Sequence, residues 1–225
     1  AAEDIKAPDN SGAVIYYKGQ TIDTQATDDN GKATFDNLYL GKYQIVEKKA
    51  PTGQAIDGQQ HIVNLDYAGE DAAVAVKTTS IFDVRPTASL QIVKKVVNDD
   101  GTVVKQIPAS GAKFSLYANE NFYSQTNLSK LLVKAGQKVD EAVSDANGNV
   151  AFTADVPIGS YYAVETVPPT GCSSYKGKIP MDVTYTDQTQ KVITVSQNVQ
   201  DKPLKVKVVK TDSTTGTKLY GATYQ

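Results

Sequence analysis

The 225-residue chain is predicted to be all-β, built from tandem sandwiches, on three observations. Apolar and polar residues alternate with period 2 in many short runs, turn signals separate those runs, and one long segment repeats about half a chain later. Period-2 alternation places one face of a strand on a core. Short strands at such spacing argue for sandwiches rather than helical or α/β folds.

The runs appear in order at Leu90-Gln-Ile-Val, Val150-Ala-Phe, Tyr161-Tyr-Ala-Val, Lys191-Val-Ile-Thr-Val and Leu204-Lys-Val-Lys-Val. Between them lie Asp29-Asn-Gly, Pro51-Thr-Gly, Asp99-Asp-Gly, Ala146-Asn-Gly and Pro169-Thr-Gly, all residue types that tolerate turn geometry. The segment Asn119 to Ala135, containing Ser129-Lys-Leu-Leu, is the one place where a helix is expected. The Asp-Asp-Asn-Gly and Asp-Ala-Asn-Gly segments invite a calcium reading but lack the ligand spacing of a known loop, and hairpin turns account for them better. Asn127-Leu-Ser129 fits a glycosylation sequon, a weak signal here.

The repeat carries the domain reading. Gly19-Gln-Thr-Ile-Asp, Asn30-Gly31, Phe35, then Gly41-Lys-Tyr43-Gln-Ile-Val-Glu47 and Pro51-Thr-Gly53 recur as Gly136-Gln-Lys-Val-Asp, Asn147-Gly148, Phe152, then Gly159-Ser-Tyr161-Tyr-Ala-Val-Glu165 and Pro169-Thr-Gly171. The offset is 117 (148 − 31) or 118 (165 − 47) residues, the size of one sandwich domain. The copies differ at their beginnings. The second opens with a strand at Leu90, a turn at Gly101 and Gly111-Ala-Lys-Phe, whereas the first starts at Ala1-Ala-Glu-Asp-Ile, which resembles Ala118-Asn-Glu-Asn-Phe. A matching beginning lies at the other end of the chain: Leu204 to Lys210, a turn at Gly216, then Gly221-Ala-Thr-Tyr. The expected domains are therefore 1–86 lacking its first strand, 87–202 complete, and 203–225 as the head of a further domain.

Composition narrows the function. With 23 basic against 25 acidic side chains, the net charge of −2 gives no reason to bind nucleic acid. No apolar run approaches the roughly 18 residues of a membrane helix, so membrane insertion is not expected. One Cys cannot form an internal disulfide, and one His with one Cys makes neither a metal site nor a cofactor expected. Cys172 is read as incidental and His61 as packing. Matched positions hold no Ser-His-Asp, paired-carboxylate or metal constellation, so the chain is not expected to be a turnover enzyme.

The combination of strand, Lys, Gly-Ala-x-Phe, Asn-Gly, Gly-x-Tyr-x-x-x-Glu and Pro-x-Gly resembles Cna B-type domains, also called SpaA-like or prealbumin-like, of Gram-positive cell-wall adhesins and pilins. The resemblance covers nearly the whole chain. It implies tandem immunoglobulin-like sandwiches, one complete and one lacking its first strand. It also implies an intramolecular isopeptide bond between a Lys of the first strand and an Asp or Asn of the last, assisted by the Glu of the Gly-x-Tyr strand.

Strand phase selects the residues. Leu90, Ile92, Lys94 and Val96 share a face, leaving Lys95 outside, and Leu204, Val206, Val208 and Lys210 repeat that phase. The assisting carboxyls are then Glu165 and Glu47. The partners are Asp201, in phase with Val195 and Val199, and Asp83, which holds the same place before Pro86. Asn198 is the rival to Asp201, on the opposite face unless a bulge intervenes. Each residue also has a plain reading: a strand Lys or Glu is usually solvated, and Asp before Pro often forms a turn.

The chemistry suits these types. An ammonium is no nucleophile, and an apolar environment favours the neutral amine and the protonated acid. A protonated Glu polarises the acceptor carbonyl and supplies a proton to the leaving group. Holding the groups in contact provides the effective molarity.

The resemblance implies a structural stalk or repeat segment of an extracellular cell-surface adhesin or pilin, with neighbouring repeats as partners. A ligand-binding adhesin module, recognising host protein or glycan through exposed Tyr pairs, is the alternative. A further expectation is head-to-tail self-assembly, in which Lys210 reaches Asp83 of a neighbour. The other source of the split ends is an excerpt boundary inside a longer repetitive protein.

Overall fold

The computed structural model describes residues 1–67, 69, 76–124 and 129–225. The chain forms two compact units, one of residues 1–86 with 185–191, the other of 87–184 with 192–225. Among the described residues all regular structure is β.

The first unit contains two small antiparallel sheets. Strands β1 (Ile5–Lys6) and β2 (Val14–Tyr16) form one, and β3 (Gly41–Ile45) and β4 (His61–Leu65) the other. Tyr43 and Ile5 are buried, and the Tyr43 hydroxyl donates to Tyr39 O at 2.5 Å. Gln188, in the 185–191 stretch, accepts from Ala50 N at 3.0 Å and donates to Ala50 O at 2.8 Å.

The second unit is a full sandwich. Its strands are β5 (Thr87–Val96), β6 (Lys113–Ala118), β7 (Phe122–Tyr123), β8 (Leu131–Val133), β9 (Lys138–Val143), β10 (Asn149–Phe152), β11 (Tyr161–Val167), β12 (Cys172–Ser173), β13 (Ile179–Pro180) and β14 (Val192–Pro203). Two four-stranded sheets result, in the orders β10-β5-β14-β12 and β13-β11-β6-β9. Their alternating inward residues, among them Leu90, Ile92, Phe114, Leu116, Val150 and Tyr161, make the core. First strand β5 and last strand β14 lie side by side and parallel over ten register pairs, from Thr87 opposite Val192 to Val96 opposite Asp201.

Two differences from expectation have physical causes. The segment Asn119 to Ala135 is not helical where it is described. It contains the β7–β8 hairpin, with 125–128 and the sequon residue Asn127 outside the described residues. Leu131 and Leu132 are 44% and 52% exposed, so the run has no buried helical stripe. Its anchor is Phe122, stacked on Tyr161 at 4.8 Å between ring centroids. The same hairpin appears as β1–β2 in the first unit. Residues 32–35, the counterparts of β10, form no strand. In the second unit β10 exists because it pairs with β5, and the first unit has no such partner strand among its described residues.

The two Asn-Gly turns are alike in both units. Asp145 Oδ1 accepts from Asn147 N and Asn149 N, each at 2.8 Å, and Asp28 Oδ1 accepts from Asn30 N and Lys32 N, each at 2.9 Å. These side chains cap backbone turns.

Candidate functional site

In the second unit the parallel register of β5 and β14 brings three charged side chains together inside the sandwich. β5 alternates with Leu90, Ile92, Lys94 and Val96 buried and Gln91 and Lys95 exposed. β14 buries Ile193, Val199 and Asp201, while Asn198 points to solvent. Lys94 is opposite Val199, so Asp201 lies diagonally one inward step along. Glu165 comes from the facing sheet, on β11 opposite Phe114 of β6.

Lys94 Nζ lies 2.5 Å from Asp201 Oδ1 and 2.7 Å from Glu165 Oε1, with all three side chains shielded from solvent. The amine sits 5.7 Å from the Phe114 ring centroid. Glu165 Oε2 accepts from Tyr175 N at 2.7 Å, which fixes the carboxyl while its other oxygen faces Lys94. Burial raises the Glu165 pKa above the ordinary glutamate value, against the opposing pull of Lys94. Such an arrangement, an amine in contact with two carboxyls and shielded from solvent, is equipped for condensation to an amide.

Cys172 lies beside this group. It is buried on β12 opposite Pro203, and burial raises its thiol pKa, followed by the nearby Asp201 charge.

The first unit repeats part of the arrangement. Glu47 Oε2 accepts from Asp57 N at 3.0 Å, as Glu165 does from Tyr175 N. The Ala55–Val84 bridge corresponds to Ser173–Lys202. The offset is 118 residues throughout (165 − 47, 175 − 57, 173 − 55, 202 − 84), so Asp83 takes the place of Asp201. Burial first, then the neighbouring Asp83, raises the Glu47 pKa above the ordinary glutamate value. The Asp57 N–H and carboxyl also act on Glu47. His61 contacts the Asp57 carboxylate through Nε2. Lys210 is exposed and lies outside any strand.

Sequence reasoning did not find the backbone donors at Asp57 and Tyr175. The spacing of ten residues after each Glu is constant, but a main-chain N–H leaves no mark on residue type. Nor did it connect Cys172 with the buried group, because the matching position in the first copy is Gln54.

The profile of the SpaA prealbumin-like fold domain matches residues 8–80 and 92–199. No curated protein sequence matches the chain. Among solved structures, the chain is similar to the Bacillus anthracis TIE protein, at 22% identity and TM-score 0.54 over 80% of this chain and 28% of that one. It is also similar to the minor pilin GBS52 of Streptococcus agalactiae, at 17% identity and TM-score 0.39 over 84% and 71% of the two chains. A third is the Corynebacterium diphtheriae major pilin SpaA, at 13% identity and TM-score 0.35 over 52% and 30%. The chain thus spans little more than a quarter of the length of the TIE protein, and the likeness is one of fold. With the family profile matching most of its length, in two successive segments, the chain belongs to the SpaA prealbumin-like fold domain family.

Proposed function

We propose that the chain is a load-bearing stalk segment of a Gram-positive surface pilin or adhesin, hardened by a self-made amide between Lys94 and Asp201. In this reading residues 1–86 belong to one repeat, 87–202 form a complete repeat, and 203–225 begin a third. The partners are neighbouring repeats. The observation that carries the reading is the enclosed Lys94–Glu165–Asp201 contact between the first and last strands of one sandwich.

The reaction balances without any co-reactant. Lys94 passes a proton to a neighbouring carboxylate and becomes an amine. Its nitrogen adds to Asp201 Cγ while protonated Glu165 hydrogen-bonds the acceptor oxygen. The Asp201 C–O bond breaks, the departing oxygen takes a proton through Glu165, the nitrogen loses one, and water leaves. Glu165 ends as it began, so each domain reacts once and nothing turns over.

The mechanical consequence follows from topology. Force enters a tandem array at the first strand of a sandwich and leaves by the last. Parallel β5 and β14 are loaded in shear, and an amide between them carries that load covalently. The stretch from Lys94 to Asp201 cannot then be extended. The bond does what a disulfide does elsewhere, in a chain whose single Cys cannot supply one.

The test is the intact mass of the chain under denaturing, reducing conditions. Loss of one water, mapped to a Lys94–Asp201 cross-linked peptide and abolished by Asp201→Ala, supports the reading. Loss of ammonia would assign the bond to Asn198, and an unshifted mass overturns the covalent mechanism.

A further inference from the structure

The turn Pro169-Thr-Gly171 recurs as Pro51-Thr-Gly53, and in both units it serves the same local task. In the second unit it carries the chain from β11 in one sheet to β12 in the other, with Cys172 N donating to Pro169 O at 3.1 Å and Gly171 at φ +81. β12 pairs with the end of β14, and just beyond it Tyr175 N donates to Glu165 Oε2 at 2.7 Å. In the first unit Gln54 N donates to Pro51 O at 3.0 Å, Gly53 has φ +85, and Asp57 N donates to Glu47 Oε2 at 3.0 Å. Each donor stands ten residues after its glutamate (175 − 165, 57 − 47), although one is Tyr and the other Asp. What recurs is a main-chain N–H, and the Tyr175 side chain is 39% exposed.

The two oxygens of Glu165 therefore have different neighbours. Oε2 holds the Tyr175 N–H, while the buried Oε1 faces Lys94 Nζ at 2.7 Å. A protonated carboxyl has one carbonyl oxygen, which accepts, and one hydroxyl oxygen, which donates. An N–H aimed at Oε2 makes that atom the carbonyl oxygen, and the proton then belongs on Oε1, beside the amine. Without the N–H the acid can carry its proton on either oxygen, and a proton on Oε2 is turned away from Lys94.

From this geometry we infer that the Tyr175 main-chain N–H, delivered by the Pro169-Thr-Gly171 crossover, is a positioning group that fixes the exchangeable proton of Glu165 on Oε1. The step it controls is the first of amide formation. The Nζ–H bond of the Lys94 ammonium breaks, an Oε1–H bond forms, and the ion pair becomes a neutral amine beside a neutral acid, with no co-reactant. The proton then rests on the oxygen that shares Lys94 Nζ with Asp201 Oδ1, where the later transfer to the departing oxygen needs it. The residue type at 175 is free to vary, because its side chain takes no part. This inference deepens, and rests on, the reading of the Lys94–Asp201 contact as bond-forming.

The experiment uses the full chain made by cell-free synthesis, captured unfolded and refolded at a series of pH values, with the loss of water followed by intact mass. Tyr175→Pro lacks the N–H, whereas Tyr175→Ala and Tyr175→Phe keep it. Tyr175→Pro is expected to lose water at least about tenfold more slowly than the wild type, and the other two to stay within about twofold of it. Burial raises the Glu165 pKa, and Lys94 and the Tyr175 N–H oppose that rise. The limb on which the rate falls as Glu165 ionises therefore moves to higher pH in Tyr175→Pro, while Lys94, Asp201 and the nearby Cys172 thiol are unaltered. An unslowed Tyr175→Pro, an equal slowing in Tyr175→Ala, or a slowing with an unshifted limb overturns the inference. A second measurement needs neither the proline variant nor the bond. In Asp201→Ala, which cannot react, the Tyr175 amide proton is expected to resist exchange and its resonance to move with pH together with the Glu165 carboxyl carbon. A freely exchanging amide, or one indifferent to that titration, overturns the inference by itself. An unshifted wild-type mass with a coupled amide leaves the proton placement standing and removes the Lys94–Asp201 bond.

Discussion

Lys94 and Gly148 hold each other through the backbone. Lys94 N donates to Gly148 O at 2.7 Å, and a Cβ on Gly148 would sit 2.2 Å from Lys94 O. Gly148 is also in the left-handed region at φ +82, where L side chains are strained. The Asn-Gly turn is therefore a rest against which the Lys94 end of β5 is set, and only a residue without a side chain fits it.

Gly148→Ala is expected to cost more than the roughly 1–3 kcal/mol of a strained backbone position, because β5 must also move. Gly31→Ala, at φ +72 with open space, bears the conformational strain alone. Thermal unfolding of the two variants should show the larger fall for Gly148→Ala, together with slower loss of water. Equal falls would mean that contact with Lys94 O contributes nothing.

Removing the amine exposes the balance of charge inside the sandwich. Lys94→Met leaves Asp201 and Glu165 facing each other without a cation, and breaking a buried pair in this way costs about 3–5 kcal/mol. Glu165→Gln keeps the shape but cannot pass a proton. It is expected to abolish or greatly slow the loss of water while leaving the sandwich folded, as read by time-resolved mass together with circular dichroism. Unchanged kinetics in Glu165→Gln would remove Glu165 from the mechanism.

The inward phase of Lys94 and Asp201 is legible in the sequence because β5 and β14 alternate cleanly, and alternation reports the face directly. Glu165 is legible through the repeat, its distance from Gly159 and Tyr161 being that of Glu47 from Gly41 and Tyr43. The β7–β8 hairpin is not legible, since short exposed strands with a single buried Phe leave too few apolar positions to define a period. Residues 32–35 show the opposite limit. They have the pattern of β10 yet form no strand, because edge pairing comes from a partner and not from the segment itself.

The first unit should lose stability as pH rises. The folded-state pKa of Glu47 is raised above the ordinary 4.5, so its contribution is complete below that value and is lost as pH climbs through the folded-state value. Ionisation then sets Glu47 against Asp83, with Asp57 and His61 nearby. Glu47→Gln imitates the protonated form at every pH. The difference in melting temperature, wild type minus variant, is expected to fall from pH 5 to pH 8. A difference independent of pH would show that Glu47 does not keep its proton.

Cys172 provides a probe of whether the proposed Lys94–Asp201 bond protects the edge of the sandwich. It pairs opposite Pro203 two residues beyond Asp201, is buried, and has a thiol pKa raised by burial and then by the Asp201 charge. Thiolate is the reactive form, so the native chain is expected to resist alkylation. Its exposure requires β12 to part from β14, and β14 is tied to β5 once Lys94 and Asp201 are joined. At intermediate urea, Asp201→Ala should therefore be alkylated at Cys172 much faster than the wild type, with both labelled fully once unfolded. Mass spectrometry of the alkylated chains distinguishes the two, since each adduct is read together with the water loss of the same molecule. Equal labelling at every urea concentration would mean that the β12–β14 edge opens without regard to a Lys94–Asp201 cross-link.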